Sequence, residues 1–430
     1  MNFSIKVMRG WMIIAASLGL LSCNRTPAPS ASSETASPTP TAQKLGGKIL
    51  MMHYMPWFKS PAIRGEWSNH WAGNRAEHHP GQIGADGLPD LWSNYHPLIG
   101  PYDSSDPDLL ECHLLEMKLA GINGVLVDWY GISHTDDYPE IHNATRAMFD
   151  ATGRFGMKFA ACFEDRSIEL MIERKNLQPE QATESLTKTL QWMQSEWFSK
   201  PQYLEYDNRP LLLNFGPIYL KDATPWTAAF AALPVRPAFY ALHHLWKKAG
   251  ADGGFTWIHT DPWEGTPTPE RIQERIREVF NYPAKDPKQV IVSAYPGYKD
   301  VYEKHNHNLD HRHGETLRET LGVGIEGPWP IIQLVTWNDY GEGTMIEPTH
   351  EFGYTFLEVI QQARRNELGS SFTFTADDLR LPARLYALRK QKTAPAASLD
   401  RISQLLNNGA CKEARQELDK LGAAQPTATP

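Results

Sequence analysis

From Gly47 to about residue 365, short apolar runs alternate with amphipathic stretches, and few folds can absorb that pattern. A continuous apolar run fits a strand covered on both faces, whereas apolar residues recurring every three or four positions fit a helix with one buried stripe. In alternation the two make βα units, which build a parallel sheet because each crossover returns the chain to the same end of the sheet. Eight candidate strands can be read, at residues 48–57, 124–130, 158–164, 210–215, 238–242, 254–259, 289–294 and 330–337. The clearest helices between them are 108–120, 180–195, 269–281 and 353–365. Pro107, Pro179 and Pro269 stand where the fixed φ of proline suits a first helical turn. The connection between strands five and six is short, and 215–238 holds only a weak helix. Eight strands, their crossovers and a closing helix predict an α/β fold, a (β/α)8 TIM barrel. Its first βα loop, 59–107, is long and rich in Trp, His, Gly and Asn. A loop of that length in a compact domain is usually functional, and it is expected to fold over the C-terminal mouth.

The flanks read differently. Lys6 and Arg9 precede an apolar run, 11–21, that is too short to span a bilayer as a mature helix. It ends in Leu20-Leu21-Ser22-Cys23, which resembles a bacterial lipobox and implies acylation of Cys23 as the first mature residue. Asn24 follows rather than Asp, so outer-membrane sorting is expected. Residues 24–46, rich in Ser, Thr, Pro and Ala, bury too little to fold and read as a flexible tether. The expected organisation is a lipoprotein signal peptide at 1–23, the tether at 24–46, the barrel at 47–385 and a short helical tail with a disordered end at 386–430. Within that tail, 399–406 and 410–421 form a helical pair turned at Asn407-Asn408-Gly409.

Charge narrows the function. A net charge of -8 argues against nucleic-acid binding, which needs a basic face. The chain has 14 Trp, many beside polar groups, as in Asp128-Trp129-Tyr130 and Trp337-Asn338-Asp339. Flat indoles next to hydrogen-bonding groups suit sugars, although core packing would use Trp equally well. If Cys23 carries lipid, the odd remainder of Cys112, Cys162 and Cys411 indicates neither a disulfide framework nor a zinc site, and Cys162 reads as a buried small hydrophobe.

Barrel enzymes place their chemistry at the C-terminal strand ends. Here those ends read His53-Tyr54-Met55-Pro56-Trp57, Asp128-Trp129-Tyr130, Glu164-Asp165-Arg166, Asn214, His243-His244, His259-Thr260-Asp261 with Trp263, Ser293 to Gly297 with Tyr295, and Trp337 to Glu342. One such residue means little, since a strand-end Asp often caps the next helix. Carboxylates and aromatics at many ends give what a glycosidase needs: a proton donor, a base or nucleophile, and stacking platforms. Glu164 either hydrogen-bonds the sugar beside the cleaved bond or pairs with a cation such as Arg166.

The stretch from Thr336 through Trp337, Asn338, Asp339, Tyr340, Gly341, Glu342, Gly343, Thr344, Met345, Ile346 and Glu347 to Pro348 resembles the catalytic loop of glycoside hydrolase families 71 and 99. Its Asn-Asp-Tyr-Gly-Glu half is similar to the α-1,3-glucanases of family 71, and its Ile-Glu-Pro ending to the endo-α-mannosidases and endo-α-mannanases of family 99. Tyr54-x-Pro56-Trp57, Gly121-Ile122-x-Gly124 leading to Asp128-Trp129-Tyr130-Gly131, Phe163-Glu164-Asp165 and Ser293-Ala294-x-Pro296-Gly297-Tyr298 extend the resemblance over residues 47–365. It implies Glu342 as general acid and Asp339 as partner carboxylate. In family 99 that partner is Glu and assists attack by the sugar 2-hydroxyl, with retention. The shorter Asp, as in family 71, leaves activation of a water, with inversion, equally open. Tyr54, Trp57, Asp128, Trp129, Tyr130, Glu164, Asp165, Trp263, Tyr295, Trp337, Asn338 and Glu347 are the expected substrate contacts.

His305, His307, His311 and His313, with Asn306, Asn308 and Asp310, could hold a metal by spacing, but a polar loop touching substrate is the reading adopted. Paired carboxylates need no cofactor, so none is expected. The chain is thus expected to be an endo-acting glycosidase on α-mannan- or α-glucan-type saccharides, monomeric and held to the cell envelope by its lipid. A non-catalytic carbohydrate-binding lipoprotein is the alternative. A different barrel hydrolase is weaker still, because no Gly-x-Ser-x-Gly elbow is present.

Overall fold

The computed structural model describes residues 47–74, 76–258, 274, 286–302 and 308–422. Eight parallel strands form one closed sheet: β1 (Ile49–Tyr54), β2 (Gly124–Trp129), β3 (Lys158–Phe163), β4 (Arg209–Asn214), β5 (Ala238–Leu242), β6 (Gly253–Phe255), β7 (Val290–Ala294) and β8 (Ile331–Leu334). Closure is made by the first and last strands, with Ile49 opposite Ile331 and Met52 opposite Leu334. The expected (β/α)8 barrel is the fold observed.

Why these segments became strands is visible in their burial. Every residue of β2 is buried, as expected for a strand with side chains filling the barrel on one face and packing helices on the other. Gly124 starts β2 because a Cβ there would stand 2.1 Å from the Lys158 carbonyl of β3.

Helices follow most strands: α1 (Pro107–Ala120), α2 (Tyr138–Phe155), α3 (Ala182–Met193), α4 (Ala223–Ala231), α5 (Glu315–Glu326) and α6 (Thr355–Leu368). Asp106 caps α1 by accepting the Asp108 N–H at 3.0 Å, and Pro107 fills its first turn. The 18-residue α2 was not singled out in the sequence. The short link between β5 and β6 holds turns, as expected. The helix expected at 269–281 lies outside the described residues except for Glu274.

Of the C-terminal helices, α7 (Leu381–Gln391) and α8 (Ala396–Asn407) dock on α1, and α9 (Cys411–Lys420) packs on α7 and α8. Buried Glu111 of α1 takes the Arg389 guanidinium and accepts Ser403 Oγ at 2.6 Å. Lys390 reaches Asp106 at 2.6 Å and Asp108 at 2.8 Å. The expected barrel boundary at residue 385 falls inside α7.

The first loop behaves as expected and lies across the segment that follows β8. Leu98 N–H donates to the Pro348 carbonyl at 2.8 Å, Ser93 Oγ to the Tyr340 carbonyl at 3.1 Å, and Tyr102 Oη to Glu347 at 2.7 Å. Phe58, Trp71, Tyr102 and Tyr340 pack ring against ring beneath it.

Candidate active site

After β8 the chain turns back on itself. Thr336 N–H donates to the Thr344 carbonyl at 2.9 Å, Ile346 N–H returns to the Thr336 carbonyl at 2.9 Å, and the two threonine hydroxyls bond at 3.0 Å. Asp339 and Glu342 occupy the tip. Thr336 Oγ1 accepts the Asp339 N–H at 2.8 Å, and Asp339 Oδ1 accepts the Glu342 N–H at 2.8 Å. The Asp339 carboxyl therefore ties the turn together, as a short side chain does at an Asx turn. Gly341 and Gly343 make the tip possible. A Cβ on Gly341 would meet Tyr302 Oη at 1.8 Å, and Gly343 has φ +64 with the Lys299 carbonyl 2.5 Å from a Cβ position. The loop after β7 closes over this tip through Lys299 N–H to the Glu342 carbonyl and Val301 N–H to the Gly341 carbonyl, both at 2.9 Å.

Four carboxyls meet at this mouth: Asp128 from β2, Glu164 after β3, and the loop pair. Burial raises all four. Asp339, 4% exposed, is pushed up to about 6 against the pull of the Glu342 and Gly341 N–H groups. Glu342 is raised well above the carboxylate range by burial and then by Asp339, against a hydrogen bond from Trp257; Asp300 and Asp128 push it further up. Asp128, 2% exposed, is pushed up to about 7 by burial and by Asp339, with Tyr130 opposing. Glu164 is raised well above its ordinary value by burial and Asp128, and Arg166 offsets part of this. Carboxyls sharing one weakly solvated opening cannot all ionise, so protons stay in the site near neutral pH. Glu164 thus borders the other carboxyls and also feels the Arg166 charge.

Several expected contacts lie elsewhere. Trp129 is fully buried among Phe163, Trp192 and Trp197, with Nε1 on His142 at 3.2 Å, because neighbouring side chains on a strand face opposite ways and Asp128 takes the barrel side. Glu347 is buried behind the loop, accepting from Tyr102 at 2.7 Å and Tyr340 at 3.0 Å, with His113 Nε2 at 3.0 Å; Tyr54 reaches the other ring nitrogen of His113 at 3.2 Å. Asn338 braces β1, accepting from the Met55 N–H at 2.8 Å and donating to the Met55 carbonyl at 3.0 Å. Trp337 is fully buried against His113, and Tyr295 is buried with its backbone tied to Thr320. Trp57 stacks on His70 at 4.2 Å, and Tyr130 on Tyr138 at 4.7 Å. His311 is buried, its Nε2 2.8 Å from the Gly343 carbonyl, so it supports the loop after β8 from behind. Trp263, His259, Asp261, His305 and His307 lie outside the described residues, as does Cys23.

Asp165 is also structural. Its carboxylate is buried and accepts the N–H groups of Ile218, Tyr219 and Leu220 at 2.8, 2.8 and 2.7 Å. Asp165→Ala is expected to cost about 3 kcal/mol, because three backbone donors, partly or fully buried, lose a charged acceptor. Asp165→Asn, which keeps one acceptor oxygen, should cost less. Denaturant midpoints at constant slope measure both, and equal midpoints for wild type and Asp165→Ala would refute the role.

Sequence analysis assigned no role to Trp257, Asp300 and Tyr302, and Tyr298 entered only as part of the resemblance. Trp257 stood inside the strand expected at 254–259 and could have been found as a strand-end aromatic. Tyr298, whose hydroxyl donates to Asp300 at 2.7 Å, and Tyr302 border Asp339 and Glu342 only because the loop after β7 folds across the tip.

A (β/α)8 barrel with paired, proton-retaining carboxyls and aromatic rings at its C-terminal mouth defines a glycoside hydrolase. The chain belongs to glycosyl hydrolase family 99, whose profile it matches over residues 47–355, and it is a glycosidase. It is 26% identical over 352 residues to a glycoprotein endo-alpha-1,2-mannosidase-like protein of Mus musculus, covering 75% of each chain. It is 21% identical over 330 residues to the glycoprotein endo-alpha-1,2-mannosidase of the same species, covering 70% of this chain and 67% of the other. The structure of the GH99 endo-alpha-mannosidase from Bacteroides thetaiotaomicron superposes with a TM-score of 0.53 at 18% identity, over 77% of this chain and 98% of that one.

Proposed function

We propose that the chain is an endo-acting α-mannosidase in which Glu342 protonates the leaving oxygen and Asp339 is the base. The observation that carries this is the loop tip. It holds two carboxyls three residues apart, one raised strongly by burial and by its neighbour, the other raised less and tied to the Glu342 N–H. An acid and a base with separated affinities for the proton are the working parts of glycoside hydrolysis. The mannosidase relatives favour α-mannosides over the α-glucans that the Asn-Asp-Tyr-Gly-Glu run also permits. In this reading Asp128 and Glu164, whose carboxyls share the mouth with the pair, bind the sugar at the cleaved bond.

We propose further that Cys23 carries lipid and that the 24–46 tether holds the barrel off a bacterial envelope membrane. The support is the Leu20-Leu21-Ser22-Cys23 sequence and the composition that follows it.

The test is a panel of yeast-type α-mannan, α-1,2- and α-1,3-linked manno-oligosaccharides and α-1,3-glucan, with products sized by chromatography. Internal cleavage of mannosides to oligosaccharides is expected. Release of glucose oligomers alone, or glycan binding without cleavage, would overturn the reading.

A further inference from the structure

His53 and Cys162, to which the proposed acid–base chemistry gives no role, stand with Asp128 in a second cluster. His53 of β1, Asp128 of β2 and Cys162 of β3 each turn one donor atom to a common point, and these atoms lie within 4.8 Å of one another. All three residues are buried, Cys162 and His53 completely. Neither ring nitrogen of His53 and neither carboxylate oxygen of Asp128 makes a hydrogen bond of normal geometry; Gln333 beside His53, and Tyr130 and the Trp129 N–H beside Asp128, offer only weak ones. Buried polar atoms are almost always paired, so four such atoms in one small volume call for a ligand.

We infer that His53, Asp128 and Cys162 form a binding site for a divalent transition metal ion of the zinc class. The donor set selects the ion. A thiolate and an imidazole favour borderline metals, whereas calcium and magnesium take oxygen. Charge supports the same choice: one thiolate, one carboxylate and one neutral imidazole balance a 2+ ion, leaving no net charge in a buried volume where an unbalanced charge is costly. Zinc bonds of about 2.0–2.3 Å set tetrahedral ligands about 3.3–3.8 Å apart, so the three donors need to close by roughly 1 Å, within reach of small side-chain rotations. Three protein ligands would leave one position for an exchangeable oxygen ligand. No sequence spacing announced this site, because its members sit on three strands with about 35 to 75 residues between neighbours.

The site stands whether or not Asp339 and Glu342 have the roles proposed above, and its test reads the metal directly. The full chain is treated with chelator, dialysed and titrated with Co2+, first intact and then with Cys23, Cys112 and Cys411 replaced by Ala so that Cys162 is the only thiol. One Co2+ per chain is expected, with a near-ultraviolet thiolate charge-transfer band and visible bands of a four-coordinate ion. Cys162→Ala should abolish the first band, and His53→Gln should weaken binding by more than about tenfold. X-ray absorption of the Zn2+-loaded intact chain gives a reading free of any folding defect in the variants, with one sulfur at about 2.3 Å expected. Failure to saturate with Co2+, a spectrum unchanged by Cys162→Ala, or a zinc shell lacking sulfur would each overturn the site.

Discussion

Glu342→Gln is expected to lower kcat on an α-linked mannan by about 10²- to 10⁴-fold, with KM changed little. That loss is about 3–5 kcal/mol of transition-state stabilisation, the amount a positioned proton donor supplies to an alkoxide leaving group. Gln fills the same volume and keeps the backbone N–H that Asp339 Oδ1 accepts, so the turn itself should survive. The defect should depend on the leaving group. An aryl α-mannoside with an acidic phenol departs without protonation, so the variant should regain most of its rate on that substrate while losing it on mannan. Equal losses on both substrates would remove Glu342 from the acid role. The pH profile supplies a second reading. Because Glu342 is held well above the ordinary carboxylate range, wild-type activity should persist into neutral pH and fall only as Glu342 ionises; Glu342→Gln should lack that alkaline limb.

How much of this was legible beforehand depended on how local each signal was. The strands were legible because a parallel strand buried on both faces reads as an unbroken apolar run, and all eight overlap the expected ranges. Their ends were less legible. β8 stops at Leu334 while the apolar stretch runs to Trp337, because Thr336 leaves the sheet to pair with Thr344. Asp339 and Glu342 were readable because one run of four residues carries both. What the sequence could not divide was the strand-end cluster. Asp128 and Trp129 are adjacent, yet one faces the barrel and the other the helix layer. Asp165 follows Glu164, yet it spends its carboxylate on three backbone donors of the β4 loop. Glu347 belonged to the recognised motif, but Tyr102 and His113, more than two hundred residues earlier, hold it behind the loop. Side-chain direction and long-range pairing decide such cases, and neither is written in spacing.

Asp339→Asn provides the sharpest separation of structure from chemistry. Asn retains an Oδ1 that can accept the Glu342 N–H, so thermal stability should stay close to wild type, whereas Asp339→Ala should lose both the turn and the rate. Without an ionisable base, kcat/KM on mannan should fall by about 10²- to 10⁴-fold. Unlike Glu342→Gln, an acidic leaving group should rescue none of it, because the missing step is activation of the attacking oxygen and not departure. The sign of the pH effect follows from the direction of the shift. Asp339 is raised to about 6 and must be ionised to act, so wild-type kcat/KM should decline below about pH 6, and the residual activity of Asp339→Asn should show no such acid limb. Asp339→Glu addresses the attacking group. Restoring one methylene extends the carboxylate by about 1.5 Å, a displacement large enough to change rate by orders of magnitude. If the base works through water at the shorter reach, the extension should depress activity and the product should be inverted in both proteins. If it works through the sugar's own hydroxyl, Glu should match or exceed Asp with retention. An Asp339→Asn protein as active as wild type, with its acid limb intact, would transfer the base role to another carboxyl of the cluster, and Asp128 is the one best placed to receive it.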